Sequence, residues 1–336
     1  MSTLTADAVK TKARELGADL VNIVACATLE THPPDPQWPQ VPSRISKRMT
    51  TCILTAIRMP WGMFLTDNAT CLSLAAQLLL RKTEKVSLEL SYWLEAQGSH
   101  AFQVATEETD PSLKRGSYGW LSLRHIAVEA GMGTLGLEVN LLTPEFGPRV
   151  YHGAVLTEAE LEPDSRIADQ LCIGETCGRC LLACPPNAVL HWGLDKRKCA
   201  LAAQPDGVAS IVYGPLRELA RAGSDDVVRK VIGGATMRKK WAALVRLADS
   251  YAACPRCLEV CPVGGDYQQH LARTHREIPE KDAERVAKLA DMRTASREGR
   301  RAHYATPMNV RWLGEAGYQG LGGRPGRVPA ATADAP

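Results

Sequence analysis

Short β-branched runs alternate with longer helical patterns over residues 1–160. Leu4 to Leu16 carries helix-forming residues, and Gly17 stands where a helix C-cap belongs. Leu20 to Ala25, Thr51 to Ile57, Ala101 to Ala105 and Val150 to Leu156 read as four strands. Leu72 to Glu95 is one long helical pattern, and Leu121 to Ala130 is a shorter one that stops at Gly131. Between His32 and Pro42 lie Pro33, Pro34, Pro36 and Pro39, so this stretch is irregular. The alternation predicts a mixed α/β domain.

The remainder is patterned differently. Pro215 to Ser250 reads as mainly helical, with Pro215 suited to a first turn and Gly233-Gly234 as an interruption. His270 to Arg301 is a charged helical stretch of mixed sign, as expected of a solvated face. Residues 329–336 have the composition of a disordered tail.

Composition adds limits. The chain has 336 residues, enough for about two domains and a core that needs no disulfides. A net charge of +3 is too weak by itself to argue for nucleic acid, and aromatics, at 5%, offer no stacking platform for bases. No export signal, twin-Arg motif or membrane-length apolar run is visible, so the expectation is a cytoplasmic protein without membrane contact.

Cysteine changes the picture. Eight of the 11 lie between Cys172 and Cys261. The first run is Cys172-x4-Cys177-x2-Cys180-x3-Cys184-Pro185; Cys199 follows alone; the second run is Cys254-x2-Cys257-x3-Cys261-Pro262. In two-cluster ferredoxins the Cys before the Pro ligates the other cluster. That crossing gives one set of Cys172, Cys177, Cys180 and Cys261 and another of Cys184, Cys199, Cys254 and Cys257. Structural zinc is the competing reading, but it leaves the third Cys of each run and the repeated Cys-Pro unexplained. Cys26, Cys52 and Cys71 read as small buried hydrophobes.

Three stretches together resemble the corrinoid iron–sulfur reductases that include epoxyqueuosine reductase and the reductive dehalogenases. They are Ala13 to Ile23, Leu123 to Gly136 continuing through Asn140 to Gly147, and the cysteine pattern with its lone Cys199. The resemblance spans about residues 8–265. It implies a nitroreductase-like, cobalamin-binding α/β domain over 1–165. A bacterial-ferredoxin-like module with two [4Fe–4S] clusters would follow over 166–270, with a helical insertion near 205–250, then a charged helix and tail over 271–336. It further implies electrons passing from a low-potential ferredoxin- or flavodoxin-type donor through the clusters to cobalt, for reductive cleavage or deoxygenation.

The departures from the family shape the expected substrate. Epoxyqueuosine reductases carry a proton-donating Asp just upstream of the glycine-rich helix. Here Ser117 stands in that place, beside Tyr118, and serine is too weak an acid to replace it. Reductive dehalogenases use a Tyr, so Tyr118 is the candidate proton donor, with Ser117 as its neighbour, and a small-molecule substrate is expected ahead of tRNA. A non-catalytic electron carrier and a tRNA-directed epoxyqueuosine reductase are the alternatives. Flavin is the next cofactor to consider.

Gly131, Gly133 and Gly136 either let the backbone approach a corrin or form a helix cap and tight turn. They match G-x-G-x-x-G, but follow a helix where a dinucleotide site needs a strand. Arg124 and Asn140 complete the candidate cofactor contacts. His125 is a possible proton shuttle, Trp61 to Phe64 a pocket wall or core patch, and Arg297, Arg300 and Arg301 a basic cluster that interspersed acids weaken as an RNA site.

Overall fold

A computed structural model describes residues 4–34, 38–106, 108–113, 118–246, 252–304 and 310–312. Helix α1 (Ala6–Glu15) opens on a Thr5 cap and ends at Gly17, whose φ of +108° confirms the C-cap expectation. Strand β1 (Leu20–Ala25) leads into the short α2 (Cys26–Thr31). Strand β2 (Thr51–Arg58) precedes α3 (Ala69–Ala96), capped by Asn68. Next come β3 (Ala101–Gln103), α4 (Leu123–Glu129), the strands β4 (Thr134–Leu135) and β5 (Leu141–Leu142) of a hairpin, and β6 (Val150–Thr157).

The four expected strands form one sheet in the order β1-β2-β6-β3, every pair antiparallel. The central β2 is buried along seven of its eight residues because both faces are covered. Ile53 and Ile57 pack with α1 and α3, while Cys52, Leu54 and Ala56 pack with α4, the hairpin and the cysteine-bearing segment. The buried hydroxyls of Thr83, Ser87 and Ser91 bond back to carbonyls one turn earlier, at 2.8, 3.0 and 2.9 Å. These small residues let α3 lie close to Gly153 of β6, where an added Cβ would stand 2.6 Å from Ser87 Oγ.

The cysteine-bearing half begins with α5 (Arg179–Leu182), followed by β7 (Val189–Leu190), β8 (Gly193–Asp195) and α6 (Lys196–Ala203). Short helices α7 (Val208–Tyr213), α8 (Pro215–Ala220), α9 (Asp225–Gly233) and α10 (Ala235–Arg246) form the helical insertion, and the α9–α10 break falls at Gly233-Gly234 as expected. Then come α11 (Arg256–Glu259), α12 (Gly265–His270), α13 (Ala283–Arg297) and β9 (Val310–Trp312), which pairs with β8. The charged stretch 270–301 is thus helical only over α13, and α13 is amphipathic: Leu289, Met292 and Ala295 are buried against the cysteine loops. One core cluster joins Leu54 and Leu156 of the sheet to Cys172, Cys184 and Leu289, so the two halves share apolar packing. The residues 329–336 lie outside the described residues.

Candidate metal centre and adjoining cleft

The eight clustered cysteines come from loops whose turns are set by glycine. Gly174 and Gly178 hold φ of +63° and +65° between Cys172 and Cys180. Cys180 sits on α5, Cys199 on α6 and Cys257 on α11. All are free thiols. Their electrostatic neighbours fall along the crossed pattern. Cys172 feels Cys177, Cys180 feels Cys172 and Cys261, and Cys261 feels Cys172. Cys199 feels Cys184 and Cys254, and Cys257 feels Cys199, Cys254 and Cys184. Cys180 also feels Cys257 of the other quartet. A small cavity is lined by Cys172, Cys177, Cys180 and Cys261 together.

Burial makes six of these thiols, Cys172, Cys180, Cys199, Cys254, Cys257 and Cys261, poor acids. It pushes Cys172 up to about 12 and Cys199 up to about 11, and raises Cys180, Cys257 and Cys261 well above the usual thiol value. A bound cationic centre would supply the charge that the apolar surroundings withhold. Backbone N–H groups already aim at sulfur: Gly174 N at 3.3 Å from Cys172 Sγ and Ala188 N at 3.2 Å from Cys184 Sγ. Among the described residues no three His, Cys, Asp or Glu lie close enough together to hold a single metal ion.

Glu138 was not singled out by sequence reasoning. It is 3% exposed, feels Cys172, Cys180, Cys257 and Cys261, and is pushed up to about 7, chiefly by burial. An acidic residue between the apolar Leu137 and Val139 was its only sequence signal. Val139 itself holds φ of +68°, a strained conformation for a β-branched side chain, and its carbonyl accepts from Arg124 Nη1 at 3.1 Å.

Beside the second quartet opens a cleft of about 480 Å³. Arg124, Asn140, Ser122, Tyr151 and His152 supply polar groups to its wall. Asn140 joins the cleft to the cysteines, its amide donating toward Cys257 Sγ at 3.7 Å. His152, also missed by sequence reasoning, has a buried Nε2 with no hydrogen-bond partner. Burial, then Arg124, lowers its pKa to about 3, so it is neutral at physiological pH. Its signal was a His within the apolar run of β6, on the same strand face as Val150 and Ala154.

The remaining candidates are placed as follows. Ser117 lies outside the described residues. Tyr118 is half-buried, accepts from Asp110 N at 2.8 Å through its carbonyl, and has Lys196 Nζ 5.0 Å from its ring. Gly119, not Tyr118, lines the cleft. The three glycines approach this chain's own atoms closely, and none is among the residues that line the cleft. A Cβ would stand 1.9 Å from Ser165 O at Gly131, 2.1 Å from Leu142 O at Gly133 and 2.6 Å from Glu138 Oε2 at Gly136. That packing suits the cap-and-turn reading of this segment, which leads into the β4–β5 hairpin.

Other expectations resolve by burial. His125 is buried with Nε2 2.5 Å from His32 O. Cys26 and Cys52 are buried as expected, but Cys71, in the first turn of α3, is exposed. Arg301 is buried, which breaks up the expected basic cluster. Trp61 stacks on His270 at 3.5 Å and donates to Asp266 at 2.9 Å, tying the sheet half to the cysteine half.

No family profile matches the chain. Over 82 residues it is 42% identical to an epoxyqueuosine reductase of Bacillus cereus. Over this stretch the chain is similar to epoxyqueuosine reductases. That alignment covers 24% of this chain and 21% of the relative, so the chain spans about a fifth of that relative's length. A catabolic reductive dehalogenase, solved with 3-bromo-4-hydroxybenzoic acid, aligns over 88% of this chain and 37% of its own, with TM-score 0.50 and 17% identity; the mixed α/β fold is shared with it. An epoxyqueuosine reductase solved with a tRNA stem loop covers 82% of this chain and 68% of its own, with TM-score 0.45 and 18% identity. Among the described residues no helix is long and apolar enough to cross a membrane.

Proposed function

We propose that this chain is an iron–sulfur, corrinoid-dependent oxidoreductase of the epoxyqueuosine reductase type, acting on epoxyqueuosine in tRNA. One observation carries the reading: two crossed cysteine quartets, the second touching, through Asn140 and Cys257, the wall of a large polar cleft. The curated relatives bear the epoxyqueuosine reductase name. They favour tRNA over the small-molecule substrate that Ser117 suggested.

The donor chemistry fits two [4Fe–4S] clusters. Each quartet supplies four thiols, burial demands a compensating cation, and N–H groups point at sulfur as in tuned cluster sites. Cys172, Cys177, Cys180 and Cys261 would hold one cluster and Cys184, Cys199, Cys254 and Cys257 the other. The cleft fits a corrinoid rim: Arg124 and Asn140 present donors, and the unpartnered His152 Nε2 is a polar atom awaiting one. A bound corrinoid would supply the low-potential chemistry for removing the epoxide oxygen.

This chain's own residues then have separate tasks. Asn140 holds the contact between the cleft and the second cluster. Arg124, fixed to Val139 O, orients groups within the cleft. Apolar packing around α4 and the hairpin keeps water from the clusters. Tyr118, next to the cleft residue Gly119, is assigned the proton, since Ser117 cannot give it. We divide the chain into a nitroreductase-like half over 1–165, a ferredoxin-like module over 166–270 with its helical insertion, and the α13 region beyond.

The test is anaerobic reconstitution followed by incubation with epoxyqueuosine-containing tRNA and a chemical reductant. About eight iron per chain, bound corrinoid and loss of one oxygen from the nucleoside by mass are expected. Metal and corrinoid without conversion would overturn the substrate; no iron would overturn the whole reading.

A further inference from the structure

Between Cys199 and Cys254 the chain makes its excursion through α7–α10, and among the described residues of that stretch only Gln204 lines the cleft. Gln204 follows the last turn of α6, where φ of −134° and ψ of +63° take the backbone out of the helix. Other polar side chains of the cleft are committed within the chain. Gln40 donates to Gly119 O at 2.7 Å, Arg124 to Val139 O at 3.1 Å, and Asn140 toward Cys257 Sγ at 3.7 Å. The half-buried Gln204 side chain makes no hydrogen bond to another described residue. Its amide therefore keeps two donors and an acceptor for whatever enters the cleft.

The backbone that carries Gln204 is held from the far side of the excursion. Residues 204–207 read Gln-Pro-Asp-Gly, a turn sequence with Pro at its second position, closed by Gly207 N on Gln204 O at 3.1 Å. Lys240 of α10 reaches into this turn. Its Nζ lies 3.0 Å from Pro205 O, 2.8 Å from Ser210 Oγ and 3.4 Å from Asp206 Oδ1, so each of its three hydrogens has an acceptor. Ser210 Oγ in turn donates to Gly207 O at 2.9 Å. Lys240, Asp206 and Ser210 are all buried. At the root, Ala253 N donates to Ala203 O at 2.8 Å and closes the excursion beside Gln204. A buried ion pair adds little stability over apolar residues of the same size; what it can add is a defined geometry. Here the geometry it defines is the placement of the turn.

We propose that Gln204 is a specificity-determining residue of the cleft, binding an uncharged substrate group that carries a donor beside an acceptor, and that Lys240 is its positioning residue. This rests on the reading of the cleft as the substrate site. The amide selects by chemistry. A group with both a donor and an acceptor satisfies it, whereas a charged group there would lose its hydration and gain no counter-ion from Gln204. The base edge of the nucleoside proposed above has that character. Lys240 touches no substrate; it fixes the Gln-Pro-Asp-Gly turn and acts only through Gln204.

The test uses the reconstituted full chain and an epoxyqueuosine-containing tRNA stem loop. Steady-state turnover gives kcat and KM, and fluorescence anisotropy without reductant gives Kd. Q204L keeps the side chain's size and removes its amide. Its KM and Kd should rise about tenfold with kcat unchanged, the pattern of an interaction made equally in ground and transition states. K240M should raise both in the same direction. The double variant Q204L/K240M should be no worse than Q204L, because a residue that acts through Gln204 then has nothing left to place. S210A, which removes one acceptor from Lys240, is the milder second variant and should raise KM only where Gln204 is present. Iron content equal to wild type separates these effects from loss of the fold. Unchanged KM and Kd in Q204L would overturn the role of Gln204. Effects of K240M and S210A that persist in full on the Q204L background would overturn the positioning role of Lys240. An iron-loaded wild type that neither binds nor converts the stem loop would overturn the substrate reading, and this inference with it.

Discussion

Arg149 and Asp266 form a fully enclosed ion pair between the sheet half and the cysteine half of the chain. Arg149 Nε and Nη2 reach the two carboxylate oxygens at 2.9 and 2.5 Å, and both side chains are essentially without solvent exposure. The other guanidinium hydrogens go to the carbonyls of Leu258, Cys261 and Val263 at 3.0, 3.1 and 2.8 Å. Burial opposes ionisation of Asp266, but the bonds from Arg149 and Trp61 outweigh it and hold its pKa low. One side chain thus fixes the loop that carries Cys261.

R149M should therefore leave the buried carboxylate without its counter-ion, keeping only the Trp61 N–H, and three carbonyls without their guanidinium donor. A loss of about 3–5 kcal/mol is expected, read as a lower denaturant midpoint. Iron content should fall as the Cys261 loop loosens. A stability within about 0.5 kcal/mol of wild type, the range of an ordinary surface substitution, would show that the pair is dispensable.

The cysteines should divide by position. C257S and C180S are expected to reduce iron after reconstitution by roughly half, each removing one ligand from one cluster. C26S should leave iron unchanged. In the native protein a thiol reagent should label Cys71 fast and Cys26 and Cys52 slowly, since only Cys71 is exposed and burial raises the other two. Rapid labelling of Cys52 would contradict the packing between β2 and α4.

Asn140 should tune the second cluster. Replacing it by leucine keeps the size and removes the N–H aimed at Cys257 Sγ. Fewer hydrogen bonds to sulfur leave the reduced, more negative cluster less stabilised, so its potential should become more negative. A redox titration followed by EPR reads the shift, and an unchanged potential would sever the link between cleft and cluster.

Stability should fall on the acid side of neutrality. His125 is held down to about 4 and His152 to about 3, each chiefly by burial. Unfolded histidine titrates near 6.5, so below that pH the unfolded chain takes up protons that the folded chain refuses. The stabilisation is complete above about 6.5 and is lost as pH falls toward these lower values, by up to about 1.4 kcal/mol per pH unit for each residue. Urea midpoints at pH 7.5 and 5.5 check it: H125N should flatten the slope, and a wild type equally stable at both would refute the buried neutral histidines.

At Gly133 a methyl group has no room. Its Cβ would lie 2.1 Å from Leu142 O, a backbone atom of the paired hairpin strand. G133A should cost about 1–3 kcal/mol. G62A is the control, because nothing lies within 4 Å of a Cβ there.

Much of the frame was legible in the sequence. The four strands, the long α3 and the break at Gly233-Gly234 follow from β-branched runs, helical spacing and glycine, all of which act through neighbouring residues. The gathering of eight cysteines into two spaced runs and a lone Cys199 was also readable, and their crossed division into quartets is what the two-cluster ferredoxin pattern implies. The spacing could not show what distant segments meet. The glycines of 131–136 looked like a cofactor cradle, and only the fold shows that Ser165, Leu142 and Glu138 occupy that space. Glu138, His152 and Arg149 owe their character to burial by segments far along the chain. Local propensity and spacing act over a few residues, and the sequence by itself determines what depends on them. Charge state, unpaired polar atoms and the joining of cleft to cysteines depend on long-range packing, and that only the tertiary structure decides.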